Sequence, residues 1–341
     1  MKTEQRPTDP RPGVATMRAI VQDVYGDTGD VLRTAEIARP QPGAGEVLVR
    51  VAAAGIDRGV WHLMAGKPYA ARLAFGLRTP SNPVRGREFA GRVEAVGHGV
   101  TAVRPGDEVF GMGEGTFAEY AIAKEKKVAP RPAGLTAVQA AALTISATTA
   151  LQAVRDHGRV TAGQTVLVIG ASGGVGSFAV QIAKAYGAEV TGVSSAAKAD
   201  LVRGLGAEAV VDHAVGNGLE VGSAVFDVVL DIGGNRPVRQ LRKVLAPHGR
   251  LVIVGGEGGG RWLGIGRQLR AAALSPFVGQ KLVFFVAGEN AADLVVLTEL
   301  VESGKLAPAI DRTFPLAEAP AAVDYLTAGR ARGKVVVEIS R

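Results

Sequence analysis

The stretch VLVIGASGGVGSFAVQIAKAYGAEVTGVSSAAK, residues 166–198, joins an apolar β-branched run to a glycine-rich turn and then to a helix-like segment. A continuous run of this kind is typical of a strand that is buried on both faces of a parallel sheet. The glycines are spaced G-x-x-G-x-x-G, close to but not the same as the dinucleotide fingerprint G-x-G-x-x-G. The pattern therefore indicates a strand–turn–helix unit that approaches a phosphate group.

Each glycine of this turn has a predicted task. Gly170 allows the sharp turn, and Gly173 and Gly174 let the backbone approach a pyrophosphate. Gly176 lets the helix lie close to the strand, while helix N–H groups bind the phosphates. We predict that the turn binds a dinucleotide, with Ser172 and Val175 also in contact.

The end of the second strand indicates which dinucleotide is bound. An NAD site usually has Asp or Glu there, which binds the ribose hydroxyls. Here Ser194 and Ser195 can donate hydrogen bonds and Lys198 adds positive charge. A carboxylate would repel a 2′-phosphate and this set would attract it, so the sequence predicts NADPH as the cofactor.

The rest of the chain divides into two styles. Strand-like and helix-like segments alternate after residue 134, which is typical of a doubly wound parallel sheet. Residues 17–130 instead form a β-rich, sheet-and-loop pattern broken by Gly and Pro, and the end of the chain returns to a mixed style. The sequence predicts an α/β fold: a tail at 1–16, a β-rich domain at 17–137 and 291–341, and a nucleotide-binding domain at 138–290.

Composition limits the function classes. The chain has 341 residues, of which 47% are hydrophobic and 21% charged, as expected for a folded protein. It contains no cysteine, which excludes disulfides and thiolate metal sites. The N-terminus has no apolar core of signal-peptide length, and the uncharged run 134–154 contains polar residues, so we expect a buried helix and a cytoplasmic protein.

The net charge of +7 is spread along the chain, with one local exception. Residues 258–288 contain Arg261, Arg267, Arg270 and Lys281 and no acidic residue. Two interpretations remain open: a basic amphipathic helix that contacts a membrane, or a packed helix or lid near the active site, which we favour. The expected partner is a small molecule, and we expect neither a membrane nor a nucleic acid.

Several segments together resemble a known family. They span residues 17–341 and include GEVLVRVAAAGID, RPGDEVFG, GASGGVGSFAVQIAKAYGAEV, APHGRLVIVGG and ARGKVVVEI. In order and spacing they resemble the medium-chain dehydrogenase/reductase superfamily, in its zinc-independent quinone-oxidoreductase branch. The resemblance implies a GroES-like catalytic domain, a Rossmann domain and a homodimer, with KLVFFVA (281–287) as a candidate pairing edge.

The resemblance also indicates that no catalytic metal is present. Zinc-dependent relatives have a Cys in the stretch that matches AGIDRGVWHLMAG and a Gly-His-Glu in the stretch that matches GREFAG. Asp57 and Arg87 stand at those places here. Asp57, Glu88 and His62 do not form a tetrahedral set of soft ligands.

Hydride transfer without a metal requires an acceptor that is already electrophilic. Quinones and α,β-unsaturated carbonyl compounds meet that condition, so we expect an NADPH-dependent, zinc-free oxidoreductase that reduces them. One alternative is a zinc-free alcohol/carbonyl or enoyl-thioester reductase. Another is an NADPH-binding sensor or stress protein with little turnover.

Four residues are candidates for catalysis, and the resemblance gives family counterparts for two of them, His62 and Asp57. His62 stands where relatives have a pocket-lining Tyr or Lys, and it could bind the substrate carbonyl or supply a proton. Asp57 replaces a family Asn and could pair with Arg58 or Arg87, or orient the nicotinamide ribose. Trp61 is either pocket wall or ordinary packing, Tyr69 is a second possible donor, and Arg87 is expected in a structural ion pair.

Further cofactor contacts are expected from the resemblance and from their places after sheet strands. Thr149 is expected near the nicotinamide and His213 beside the adenosine phosphate. The others are Ile232, Gly233, Val254, Gly255, Phe284, Phe285, Val286, Arg332, Gly333 and Lys334.

Overall fold

The computed structural model describes residues 14–215, 219, 225–234, 236–255, 262 and 264–339. The chain divides into two compact units. The strand-rich unit comprises Met1–Ile145, Glu289–Val295 and Ile310–Arg341; the parallel-sheet unit comprises Ser146–Gly288 and Val296–Ala309. The predicted boundaries at 137/138 and 290/291 lie close to these, but residues 296–309, assigned by sequence to the returning segment, fall in the parallel-sheet unit.

The strand-rich unit contains two sheets. β1 (Thr16–Val21) and β2 (Arg33–Ala38) form an antiparallel pair. The larger sheet comprises β3 (Glu46–Ile56), β4 (Glu88–Val96), β5 (Glu108–Met112), β6 (Tyr120–Lys124), β7 (Val128–Pro130), β14 (Ile310–Pro315) and β15 (Lys334–Glu338). The helices are α1 (Thr28–Val31), α2 (Arg58–Ala65), α3 (Arg72–Phe75) and α10 (Ala319–Thr327).

The larger sheet has the order β14-β15-β3-β4-β5-β7, and β6 also pairs with β3. β14 and β15 are parallel, and the other pairs are antiparallel. The core is built around the long strand β3, whose Val47, Val49 and Val51 are fully buried together with Phe89 of β4. The alternation of apolar residues with Gly and Pro breaks is thus realised as the predicted β-rich unit.

Two long helices, α4 and α9, contain residues of both units. α4 (Ala137–Gln152) continues as a π-helical turn over Ala153–Gly158, and α9 spans Ala291–Glu302. Of the helices in the described ranges, Ala137–Gly158 alone has the length and apolar composition to cross a membrane, and 72% of its most apolar window is buried. A buried core helix has the same properties, so this is weak evidence for a membrane span.

The parallel-sheet unit has six strands: β8 (Thr165–Ile169), β9 (Glu189–Ser194), β10 (Ala209–Asp212), β11 (Phe226–Asp231), β12 (Leu245–Ile253) and β13 (Lys281–Phe284). Its other helices are α5 (Gly174–Ala185), α6 (Ala199–Gly204), α7 (Val238–Lys243) and α8 (Gly266–Leu274). The strands are parallel in the order β10-β9-β8-β11-β12-β13. The chain order reverses between β8 and β11, the switch point where doubly wound sheets bind ligands.

Candidate cofactor and substrate sites

The glycine turn after β8 has the steric requirements expected of it. Gly170 has a φ of +84°, and a Cβ there would lie 2.9 Å from the backbone nitrogen of Gly233. A Cβ on Gly176 would lie 2.0 Å from the carbonyl oxygen of Gly170. A side chain cannot be accommodated at either position, because the backbone after β11 lies against Gly170 and the turn after β8 lies against Gly176.

Gly173 differs from the other two glycines. A Cβ there would have no neighbour closer than the Gly170 carbonyl oxygen, at 3.4 Å. The fold itself therefore leaves room for a side chain at Gly173. Gly173 is the N-cap of α5, a 12-residue helix whose first N–H groups have no intrahelical acceptor. An open backbone beside a helix N-terminus fits a pyrophosphate, with Ser172, Gly174 and Val175 in the same turn.

The strand ends bring the predicted adenosine contacts together. Ser194 closes β9 and its hydroxyl donates to the carbonyl of Ser195 at 3.1 Å, while Lys198 ends the next turn. The N–H of His213, after β10, donates to the carbonyl of Ser194 at 2.9 Å. Asp212 is aligned with Ser194, and its carboxylate accepts the N–H of Ala214 at 3.0 Å.

The remaining predicted contacts of this unit follow other strands at the same edge of the sheet. Ile232 and Gly233 follow β11, and Val254 and Gly255 follow β12. β13 ends at Phe284, followed by Phe285 and Val286. Thr149 lies on α4 within the parallel-sheet unit. Carboxyl ends of parallel strands are where such folds bind ligands.

Phe285 makes a specific contact in this unit. Its ring stacks on His157 with a centroid distance of 4.1 Å and an angle of 21° between the planes. Burial lowers the pKa of His157, and the negative charge of Asp156 acts in the opposite direction. By contrast, the side chain of Val286 is exposed.

An ion pair that the sequence analysis missed lies beside these strand ends. Asp231, the last residue of β11, is fully buried and pairs with Arg267 of α8. Arg267 also donates to the carbonyls of Gly255 at 2.9 Å and Arg236 at 3.1 Å. Burial raises the pKa of Asp231, and Arg267 opposes that rise. The pair therefore fixes the ends of β11 and β12.

This arrangement bears on the basic segment 258–288. Arg267 is used inside the unit, and Gln268 and Ala271 are buried, so α8 is a packed helix on that face. Arg270 and Lys281 are exposed, whereas Arg261 lies outside the described residues. The buried face of α8 supports the packed-helix interpretation, and the contact of a basic amphipathic helix with a membrane is not tested by it.

In the strand-rich unit, the candidate catalytic residues Asp57, Trp61 and His62 lie on or beside α2. The sequence pattern predicts a sheet-and-loop region here; that expectation is wrong for this segment, because residues 58–65 form a helix. Asp57 is its N-cap and accepts the N–H of Gly59, and Gly66 ends it in the left-handed region with a φ of 59°. The other carboxylate oxygen of Asp57, Oδ2, is buried with no hydrogen-bond partner among the described residues.

His62 has a defined tautomer. Its Nδ1 lies 2.9 Å from the carbonyl oxygen of Lys67, which can only accept, so Nδ1 carries the hydrogen. Nε2 is then an acceptor in the neutral ring and a donor only in the imidazolium. Trp61 contacts the His62 ring edge-on at 5.0 Å and packs on the unit's core, while Tyr69 lies 4.9 Å from the Arg72 guanidinium.

A buried charged cluster lies at the start of β15. The ammonium of Lys334 donates to Glu88 at 2.6 Å and to the carbonyl of Ile56 at 3.1 Å. The other Glu88 oxygen accepts from the Thr144 hydroxyl at 2.6 Å and the N–H of Ile145 at 2.9 Å. Burial raises the pKa of Glu88. The positive charge of Lys334 opposes this rise, and the negative charge of Asp57 adds to it.

The predicted cofactor residues at the end of the chain have contacts inside the strand-rich unit. The Lys334 ammonium is bound by Glu88, and the N–H of Arg332 donates to Asp311 at 3.0 Å. Gly333 has a φ of 102°. A cofactor contact of this segment stays a prediction.

Arg87 forms the structural ion pair expected of it, with Glu289 as partner. Lys127 donates to the same carboxylate at 2.7 Å. Asp57 is therefore not the partner of Arg87. The described part of the chain contains no group of three or more His, Cys, Asp or Glu side chains placed to hold a metal ion.

A cavity of about 520 Å³ lies within the strand-rich unit. Its walls include Val60 and Leu63 of α2, Phe75, and the loop at Arg85–Arg87. None of the four candidate catalytic residues lines it. The cavity is therefore a separate feature from the predicted catalytic group.

Comparison with known proteins places the chain in a family. The model described as "Alcohol dehydrogenase GroES-like domain" matches residues 43–133, and the model described as "Zinc-binding dehydrogenase" matches residues 205–337. A chloroplastic quinone-oxidoreductase, QR1, of Triphysaria versicolor is 32% identical over 94% of this chain and 98% of its own. The chain belongs to the medium-chain dehydrogenase/reductase superfamily. Within that superfamily it is quinone-oxidoreductase-like.

Two further relatives extend the comparison. A mitochondrial NAD(P)H oxidoreductase, RTN4IP1, of Bos taurus is 34% identical, with 97% of this chain and 91% of the relative covered. The solved structure of a mycobacterial protein complexed with NADPH has a TM-score of 0.81 and 28% identity, covering 94% of this chain and 99% of that one. The predicted GroES-like and Rossmann-like fold is confirmed, and this medium-chain dehydrogenase/reductase is an NAD(P)H-dependent oxidoreductase.

Proposed function

We propose that this protein uses NADPH in preference to NADH and reduces quinones or α,β-unsaturated carbonyl compounds without zinc. The observation that carries the proposal is the end of β9, where Ser194, Ser195 and Lys198 stand in place of a ribose-binding carboxylate. The similarity to a solved protein complexed with NADPH supports the cofactor, and the similarity to a quinone-oxidoreductase supports the acceptor.

The residues of the parallel-sheet unit fit a dinucleotide phosphate. The open backbone at Gly173 and the start of α5 would hold the pyrophosphate. Lys198 and the two serines would hold the 2′-phosphate through charge-assisted hydrogen bonds. The nearest carboxylate in register, Asp212, already accepts a backbone N–H from Ala214. These residues together favour a phosphorylated ribose.

The strand-rich unit offers proton-handling groups in place of a metal. The superfamily's zinc-ligand positions hold Asp57, which caps α2, and Arg87, which pairs with Glu289. A bound nicotinamide would supply the hydride, and an already polarised acceptor would then need no Lewis acid. Protonated His62 can donate through Nε2 to the acceptor's oxygen, since Nδ1 is fixed by Lys67.

Cofactor choice is tested by Lys198→Glu. We expect the ratio of kcat/KM for NADPH to that for NADH to fall by roughly 10- to 100-fold, because the new carboxylate repels the 2′-phosphate. Lys305→Glu, an exposed charge reversal in the same unit, is the matched control and should leave the ratio unchanged. An unchanged ratio in Lys198→Glu would remove the assignment of that lysine.

Acceptor class is tested by following the oxidation of NADPH with 1,4-naphthoquinone, with an enone and with a simple aliphatic aldehyde. We expect turnover with the first two and little with the third, because only the first two are electrophilic enough without a Lewis acid. Tight NADPH binding without turnover of any acceptor would favour a non-catalytic NADPH-binding protein.

A further inference from the structure

The cavity of the strand-rich unit has an apolar side. Val60 and Leu63 come from α2, Phe75 from α3, and Met112 from the end of β5. Its volume of about 520 Å³ lies within the range of small-molecule sites. An apolar wall of this kind suits a hydrocarbon or aromatic body.

The same cavity has a charged side, on which most charges are already paired. Arg87 and Lys127 share Glu289, and Lys124 pairs with Glu46 at 2.8 Å. The third carboxylate, Glu114, accepts a weak hydrogen bond from the Asn82 amide at 3.4 Å. Among the described lining residues, four cations therefore face three carboxylates.

Arg85 is the cation without a carboxylate partner. The residue lines the cavity, yet only 6% of its surface is exposed. One of its Nη atoms donates to the carbonyl of Asn82, whereas Nε is buried and has no hydrogen-bond partner. No carboxylate in the described part of the chain pairs with it. Burial lowers its pKa to about 10, so the protein alone compensates this charge poorly.

We propose that this cavity binds an amphipathic organic carboxylate. The carboxylate neutralises the charge of Arg85, and an apolar body contacts Val60, Leu63, Phe75 and Met112. Arginine suits this task because its guanidinium stays charged and matches the geometry of a carboxylate. A buried cation also binds an anion more strongly than an exposed one does, since water competes less. All of these residues belong to the strand-rich unit, and none of them is a candidate catalytic or cofactor-binding residue.

Calorimetric titration of the full chain without cofactor tests the site. The probes are 3-phenylpropanoate and its neutral amide, 3-phenylpropanamide, which have the same apolar body. We expect the carboxylate to bind at least tenfold more tightly than the amide. Arg85→Met should abolish that preference and leave amide binding unchanged. The matched control is Arg104→Met, whose side chain is 87% exposed and which should behave as the parent protein does.

Three results would overturn the proposal: equal binding of carboxylate and amide, an unchanged preference in Arg85→Met, or no binding of 3-phenylpropanoate at millimolar concentration. Inorganic phosphate is a further arm. If phosphate bound as tightly as 3-phenylpropanoate, the cavity would be a site for any anion. That result would refute the proposed contact with an apolar body. If Arg85→Met does not fold, two measurements still test the proposal. They are the same titrations on Arg85→Lys and the comparison of the carboxylate with the amide on the parent protein. NADPH turnover has no part in this readout, so a failure here is distinct from a failure of the proposed reaction.

Discussion

Replacing Lys334 by Met should strongly destabilise the strand-rich unit. Lys334 is 1% exposed and Glu88 fully buried, and their charged atoms are 2.6 Å apart. Met has a similar length and no charge, so Glu88 would keep its burial and lose its counter-ion. Breaking a buried pair in this way costs about 3–5 kcal/mol in free energy of unfolding.

The pH dependence of that loss identifies its cause. Burial raises the pKa of Glu88 above its ordinary 4.5, and Lys334 opposes the rise. Without Lys334 the folded-state pKa rises further, while the unfolded value is unchanged. Between those two values the folded protein binds more protons than the unfolded one, so stability falls as pH rises through the folded pKa. Lys334→Met should therefore lose less stability at acidic pH than at neutral pH, relative to the parent protein.

Urea unfolding of the parent, Lys334→Met and the double variant Glu88→Gln/Lys334→Met provides the measurement. We expect the double variant to recover much of the loss, because a neutral amide no longer needs a counter-ion and can still accept from Thr144. Lys305→Met is an exposed control. A loss below about 1 kcal/mol, or one that does not change with pH, would refute the reasoning about a buried pair.

Further predictions concern the glycine turn, His62 and Arg85. Gly176→Ala should lower the melting temperature, because its Cβ would lie 2.0 Å from a carbonyl oxygen. Gly173→Ala should leave the melting temperature unchanged and weaken NADPH binding about tenfold. An equal loss of melting temperature in both variants would contradict the steric account. His62→Phe should reduce kcat by about 100-fold without changing the KM for NADPH, and an unchanged kcat would exclude His62 as proton donor. Arg85→Met should raise the free energy of unfolding without ligand by about 1–3 kcal/mol, since it removes a charge whose pKa is lowered to about 10; a loss of stability in urea would contradict this.

Local sequence patterns predicted the parallel-sheet unit well. The β-branched run at 166–169, the glycines and the following apolar helix are one continuous segment, and their contacts are set by neighbours in the chain. The steric need for glycine at 170 and 176 was therefore accessible from spacing alone. The alternation of strand-like and helix-like segments after residue 134 likewise predicted a parallel sheet, whereas the order of its strands came only from the structure.

The helix α2 was missed although its signals were present. Asp57 is a favourable N-cap, and Gly66 stands one residue beyond the last turn, a common helix stop. The surrounding β-rich pattern outweighed these local signals. As a result, the orientation of His62, fixed by the carbonyl of Lys67, did not follow from the sequence.

Charge pairs between distant residues were beyond sequence reasoning. Glu88 and Lys334 are 246 residues apart, and Lys334 was assigned to cofactor binding because its segment resembles one that reaches the cofactor. Asp231 with Arg267, and the uncompensated charge of Arg85, likewise depend on which side chains the folded chain brings together. Burial and partner choice are tertiary properties, which residue types and spacing do not determine.

The central claim is hydride transfer from NADPH to an electrophilic acceptor by the quinone-oxidoreductase-like protein. Steady-state oxidation of NADPH and of NADH, each with 1,4-naphthoquinone, tests it most directly. The account predicts turnover with each cofactor when it is supplied alone, and a kcat/KM at least about tenfold higher for NADPH than for NADH. No oxidation of either cofactor under conditions where NADPH binds, or a preference for NADH, would contradict it.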